Sequence, residues 1–276
     1  MKNPSPLDPI LSATAIEAVL AAGRIQLAGL DSGIHIGKKG PIDLVTEVDL
    51  EVERMVRRLV AERFPGHRVL AEELRAPGDD ARGGYCWILD PLDGTTNYAH
   101  GLSFFCSTLA LEIDGRLELG AVYDPVRREL FTAERGQGAR LNGQPLRASR
   151  VETLIDAMLV TGFPYDVHET LDDLVGLFTA FLGRAQAVRR LGSAALDLCY
   201  VAAGRMDGFW EKRLKPWDMA AGALIIEEAG GRVSGIDGLP FDCRAGHILG
   251  SNGRLHEDML AVIAQHNLSR SPIRTD

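Results

Sequence analysis

Two aspartates three residues apart, Asp90 and Asp93, close an apolar run in WILDPLDGTTNYAHG, residues 87–101, and a glycine and two threonines follow at once. A strand ending this way delivers two carboxylates, a turn carbonyl and hydroxyls to one spot, and Gly94 lets backbone N–H groups approach an anion. A helix starting near Thr95 adds its unpaired first amides to that anion site. Carboxylate and carbonyl oxygens suit Mg2+ or Mn2+, and Mg2+ is typically held by few protein groups together with substrate phosphate. The chemistry indicated is a hard metal ion beside a phosphate. The plainer alternative is a turn in which both aspartates cap local N–H groups.

Other carboxylates sit where elements begin or end. In AEEL, Glu72 and Glu73 follow an apolar run, so a strand tip would carry Glu72 to the same end of a sheet. KPWDMAAGALIIEEAGG opens a helix with Asp218 in its first turn, where an acidic residue also serves as a partner of the helix dipole. Asp49 reads as an N-cap: after it Val52, Met55, Val56, Leu59 and Val60 recur at helical spacing until FPGH stops the pattern.

These residues need a scaffold to bring them together. Asp8 with Pro9 predicts a capped helix through about Leu30. RVLAEE, YCWILD, FFCSTLALEI and LELGAVYD read as strands, the last two joined by Asp114-Gly115 as a hairpin, and shorter strands follow around ELFTAE and ARLNGQPL with a turn at Asn142-Gly143. Beyond residue 150 the pattern alternates: strand AMLVTGF, a helix over 167–183, helix SAALDLCYVAAG, strand MDGFW, helix WDMAAGALIIEEAG, strands GRVS and HILG, and a last helix GRLHEDMLAVIAQH before a disordered SRSPIRTD tail. The expectation is an α+β chain of helices layered on sheets, with a lobe at 1–150 carrying the metal motif and a lobe at 151–276 completing the site, the two forming one compact unit.

Composition narrows the function classes. With 276 residues, 46% of them hydrophobic and 25% charged, the chain can bury a substantial core. A net charge of −8 excludes a broad nucleic-acid surface, though not a local RNA or protein contact. The four cysteines, Cys86, Cys106, Cys199 and Cys243, lie far apart and read as reduced core residues, not as a disulfide frame or zinc site. No signal layout opens the chain and no apolar run approaches membrane length, so the cytoplasm and no membrane are expected.

Taken together, WILDPLDGTTNYAHG, WDMAAGALIIEEAGG, the upstream DLVTEVD, the AEE segment and RRLGSAALDLCYVAAGRMDGFWE resemble the inositol monophosphatase family of magnesium-dependent, lithium-sensitive phosphatases, over residues 10–265. The resemblance implies a layered α-β-α-β-α sandwich, a homodimer, and hydrolysis of a small phosphate monoester with two or three Mg2+ ions, Mn2+ being able to substitute. By position, Glu72, Asp90, the Leu92 carbonyl, Asp93 and Asp218 match the family's metal ligands, and Thr95 with Asp49 the pair that orients and helps deprotonate the attacking water. Glu72 shares in the catalytic set. Gly94, Thr95 and Thr96 match the phosphate-binding turn, while Asp93, Ser193, Ala194 and Glu211 match positions meeting the alcohol. Lys38 matches a lysine near the active-site loop, with Lys39 as rival. Ala71 and Leu92 replace residues commoner in the family but keep the small size or carbonyl required. The substrate expected is myo-inositol monophosphate; fructose 1,6-bisphosphate, histidinol phosphate, NADP or a nucleotide 3′-phosphate are alternatives of the same chemistry, and a regulatory RNA- or protein-binding role is the alternative of another class. Lys212, Arg213 and Lys215 cluster beside Glu211, either as a solvated loop and its ion-pair partners or as contacts to a second anionic group.

Overall fold

A computed structural model describes residues 7–32, 36–38, 44–74, 78–79 and 81–270. The chain opens with helix α1 (Pro9–Ser32), short strands β1 (Ile36–Lys38) and β2 (Leu44–Thr46), helix α2 (Glu47–Arg63), and strands β3 (Arg68–Ala71) and β4 (Tyr85–Asp93). A short helix α3 (Thr95–Ala99) leads to β5 (Cys106–Ile113), β6 (Arg116–Asp124), β7 (Glu129–Glu134), β8 (Gly138–Leu141) and β9 (Gln144–Pro145). Then come β10 (Met158–Thr161), α4 (Leu171–Leu182), β11 (Ala187–Arg189), α5 (Ala194–Ala202), β12 (Gly208–Lys212), α6 (Pro216–Glu228), β13 (Arg232–Ser234), β14 (His247–Ser251) and α7 (His256–Arg270).

Strands β3 to β9 form a seven-stranded sheet in chain order, parallel at β3–β4 and antiparallel from there on. Strands β10 to β14 form a mixed five-stranded sheet ordered β11-β10-β12-β14-β13. The period of two along each strand sends neighbouring residues into different cores. Trp87 and Leu89 of β4 meet Val52 and Val56 of α2 and Ala18 and Val19 of α1, while Cys86 and Ile88 face the other way, onto α5 and α6. In the second sheet Phe209 and Ile248 join that same central core, while Trp210 and Leu249 pack against Phe181 of α4 and Met259 of α7. The layers are therefore α1/α2, seven strands, α5/α6, five strands, α4/α7. Helix α6 is apolar all round because both its faces meet a sheet, and Gly120 is required on β6, where a Cβ would come within 2.9 Å of the Ala221 carbonyl.

The structure corrects several sequence expectations. Thr46, not Asp49, is the N-cap of α2; Asp49 stands one turn inside, and its Oδ2 accepts from Thr46 N at 2.7 Å and from Thr46 Oγ1. A Ser/Thr three residues before an acid is the capping-box pattern, and it takes precedence over the acid alone. Strand β4 runs on through Asp93, and the helix expected from residue 167 begins at Leu171 after a single tighter turn. Helix α7 includes Ser269 and Arg270 of the tail; residues 271–276, like Lys39, lie outside the described residues. The three-residue strands β1, β2 and β11 carry too little periodicity to be read. Helix α1 proves long and apolar enough, by length and composition, to cross a membrane, yet Ala15, Ala18, Val19 and Ala22 are buried against the sheet, which is the pattern of a core helix.

At the start of α7, His256 is fully buried between two hydroxyls, Ser234 Oγ and Ser251 Oγ, each 2.9 Å from a ring nitrogen. Burial, aided by Arg232, pushes its pKa down from 6.5 to about 4. The fold thus prefers the neutral ring, so this contribution to stability is complete above about pH 6.5 and is lost as pH falls toward 4. Denaturant midpoints of the wild type should fall more steeply between pH 6.5 and 4 than those of His256→Gln, which cannot titrate. Parallel pH profiles would remove His256 from the acid response.

Candidate active site

The end of β4 is built by an irregularity. Asp90 pairs with Thr108 and Asp93 with Cys106, so three steps on β4 oppose two on β5, leaving one residue extra. Pro91, with no N–H for a ladder, lies in that bulge. Leu92 N donates to Asp90 Oδ1 at 2.9 Å, the local cap that the plainer reading anticipates. Gly94 follows with φ 94°, and a Cβ there would meet the Phe104 carbonyl at 2.9 Å, so the turn admits only glycine. Thr95 then opens α3, and its Oγ1 donates to the Leu92 carbonyl at 2.9 Å.

Three further elements meet this turn at one cleft of about 1160 Å³. Glu72 comes from the end of β3, and Asp218 from the first turn of α6, where its Oδ2 accepts from Lys215 N at 2.7 Å. Helix α5 supplies its N-terminus: Asp93 Oδ2 accepts from Ser193 Oγ at 2.6 Å and from Ala195 N at 2.8 Å, and Ser193 also caps the helix by accepting from Leu196 N. Asp90, Leu92, Gly94, Thr96 and Ala194 also line the cleft. Asp49 is fully buried on Thr46 and is not among the lining residues; Lys38 ends β1, with its side chain outside what is described.

The carboxylates oppose one another's charge. Burial, followed by the charges of Glu72, Asp93 and Asp218, pushes Asp90 well above the usual carboxylate range, and burial with Asp93 and Glu72 does the same to Asp218. Asp93 rises to about 6, burial outweighing the bonds from Ser193 and Ala195. Of the cations on the cleft wall, Arg244 grips the buried Glu112 and Arg213 holds Asp166 and Glu169. An oxygen-only, strongly acidic donor set of this kind fits Mg2+ by charge and chemistry. Among the described residues no three such side chains already converge tightly enough to hold an ion.

Glu211, at the end of β12, is 6% exposed and faces Arg190 and Asp197. The ion pair with its sequence neighbours is not found, since Lys212 bonds Asp173 at 2.7 Å and Arg213 turns to Asp166 and Glu169. Burial, against the pull of Arg190, pushes Glu211 up to about 8. Its carboxylate lies flat on Gly162, where a Cβ would come within 2.1 Å of Oε2. Sequence reasoning missed Gly162, Arg190 and Asp197. Asp197 is 1% exposed, with Oδ1 lacking a hydrogen bond among the described residues, and burial raises its pKa well above the usual range. The available signal was a lone acid inside the apolar AALDLC.

Comparison with known proteins gives a consistent picture. A curated relative from Synechocystis sp., an inositol-1-monophosphatase, is 43% identical over 263 residues, 95% of this chain and 91% of its own. Another, from Pseudomonas aeruginosa and named Nus factor SuhB, is 41% identical over 267 residues, 94% of this chain and 97% of its own. The solved inositol monophosphatase from Anabaena (Nostoc) sp. superposes with a TM-score of 0.85 at 40% identity, over 93% of this chain and 96% of that one. A sequence model of the inositol monophosphatase family matches residues 8–268, so the cleft at the end of β4 sits in a chain that belongs to the inositol monophosphatase family.

Proposed function

We propose that the protein hydrolyses a phosphate monoester, myo-inositol monophosphate being the substrate its site suits best, with Mg2+ as cofactor. The observation that carries this reading is the bulged end of β4, which puts Asp90 and Asp93 into one cleft with Glu72 and Asp218. These four carboxylates and the Leu92 carbonyl would hold two or three ions. Bound Mg2+ supplies an acidified water and support for the departing alcohol oxygen.

The chain's own groups order the rest. Thr95 commits its hydroxyl proton to the Leu92 carbonyl, which leaves its oxygen lone pairs to accept a hydrogen bond from the attacking water. Asp49 stiffens the base of α2 and is assigned with Thr95 to water activation by resemblance. The first amides of α3, at Thr95 and Thr96, have no helical acceptor and would be free to bind phosphate oxygens beside Gly94. Water attacks phosphorus and gives up one proton, the P–O bond to the alcohol breaks, and the alcohol oxygen takes up a proton in its place, so that alcohol and hydrogen phosphate are released. Ser193, Ala194, Asp93 and Glu211 line the same cleft and would meet the alcohol. The free, buried cysteines support the cytoplasm as the compartment, and the homodimer remains an inference from resemblance.

The name Nus factor carried by one relative favours a second reading, in which the fold also serves as a binding partner. The dense carboxylate set argues that hydrolysis is retained beside any such role. A phosphate-release screen over inositol phosphates, fructose 1,6-bisphosphate, histidinol phosphate and adenosine 3′,5′-bisphosphate separates the two. Turnover is expected with Mg2+, loss with EDTA, and inhibition by millimolar lithium; no turnover on any phosphate would leave the binding role alone.

Asp93→Asn exchanges a charged ligand for an amide of the same shape and should lower the rate on the order of a hundredfold with the fold intact by circular dichroism. Near wild-type turnover would return Asp93 to a turn-capping residue. Above about pH 8, where the group carries its charge, Glu211→Gln should lower kcat/KM for inositol monophosphate by roughly tenfold, with p-nitrophenyl phosphate much less affected. The sign with pH follows from its raised pKa: below about 8 the wild-type group is a neutral acid that glutamine imitates, so the wild-type advantage should widen as pH rises through 8. A ratio flat from pH 6 to 9 would overturn that assignment.

A further inference from the structure

Several charged side chains are buried outside the cleft, among them Glu112, Asp124, Asp207 and Glu53. Glu53, on α2, is 0% exposed and lies one turn beyond Asp49 on the same face. A helix that needed only to pack on the sheet would carry an aliphatic residue there, as it does at Val52 and Val56. Glu53 instead reaches the chain just after β3. Its Oε2 accepts from Glu73 N at 2.8 Å and its Oε1 from Leu74 N at 3.0 Å. Arg57, one turn further on, donates from Nε to Glu53 Oε1 at 2.8 Å and from Nη1 to the Val69 carbonyl at 3.0 Å, and its Nη2 grips the Leu74 carbonyl and Asp79. The pair therefore holds the backbone on both sides of Glu72, upstream at Val69 and downstream at 73 and 74.

We infer that Glu53, locked by Arg57, is a positioning residue that fixes the Glu72 carboxylate over the cleft and so sets the affinity for the divalent cation. The inference rests on the reading of Glu72 as a ligand. Where the chain leaves a strand its amides lose their ladder partners, and an unheld segment would let Glu72 sample many orientations. A carboxylate accepting two successive amides removes that freedom at the residue next to the ligand. Groups that orient a ligand typically change metal affinity or activity 10–100-fold when altered. Because the contact is made to main chain, the sequence of the Glu73–Leu74 segment can vary without loss of the clamp.

The test is Mg2+ binding by calorimetry to the whole chain without substrate, beside urea unfolding in EDTA. Glu53→Gln keeps the volume but loses an acceptor and the charge that anchors Arg57; its Mg2+ Kd should rise about tenfold. Its apparent activation constant for Mg2+ should rise in step, while KM for the phosphate substrate at saturating Mg2+ moves less than about threefold. Arg57→Lys, at a partly exposed site, should shift Kd in the same direction by a smaller factor, and it serves if Glu53→Gln does not fold. The double variant Glu53→Gln/Glu72→Gln should bind no more weakly than Glu72→Gln alone, since Glu53 acts through Glu72. Unchanged Kd in both clamp variants, with lowered stability in EDTA, would make the pair a purely structural brace and overturn the inference. Unchanged Kd in Glu72→Gln would instead remove Glu72 as a ligand, and the inference with it. Additive losses in the double variant would show that Glu53 acts by another route.

Discussion

Mutual repulsion among Asp90, Asp93, Asp218 and Glu72 is the constraint around which this molecule is arranged. Burial makes Asp90, Asp93 and Asp218 costly to ionise, and the charge of Glu72 adds to that cost for all three. Nothing apolar would collect such charges, so rigid backbone does: a bulge fixes two of them, the first turn of α6 a third and the end of β3 the fourth. The site is stable because each of its elements is anchored elsewhere, in the apolar cores on either side of the sheets. A cation that relieves the repulsion should also stabilise the fold, since it binds the native arrangement alone.

Those layers come from simple patterning. Alternate residues of β4 and β5 enter two cores, so the seven-stranded sheet is buried on both faces, and the central helices are apolar around their whole circumference. Close approach then needs missing side chains. Gly120 admits the backbone of α6, Gly162 admits the Glu211 carboxylate, and Gly94 admits the Phe104 carbonyl. The first serves packing and the other two serve the cleft.

Much of this was legible in the chain. Helical and strand periods located the long elements, and the Asp114-Gly115 and Asn142-Gly143 turns are indeed left-handed pairs joining antiparallel strands. The residues around Asp90 were visible because metal chemistry demands unusual types at fixed spacing. Asp49 was misplaced as a cap because the pattern of apolar positions begins after it, while the threonine that does the capping lies outside that pattern. Gly162, Arg190 and Asp197 were missed for another reason: their meaning lies in contacts across β10, β11, α5 and β12, and no local spacing records a neighbour from another element. By spacing alone Glu53 is one more charge between the apolar positions of α2, and only the path of the chain after β3 shows what it holds.

Helix α6 brings together two facts described apart, its position between the sheets and its possession of Asp218. Its buried residues belong to the central core shared by both sheets, so it cannot reach its final place until the seven strands and the five strands have both formed and closed on it. Contacts that join distant parts of the chain form slowly. Asp218 is thus in place only where both sheets have closed on α6, and without that closure the other three carboxylates do not make up the full charge of the cleft. The topology thereby ties the completeness of the cleft to the closure of the whole fold, without any separate segment to enforce it.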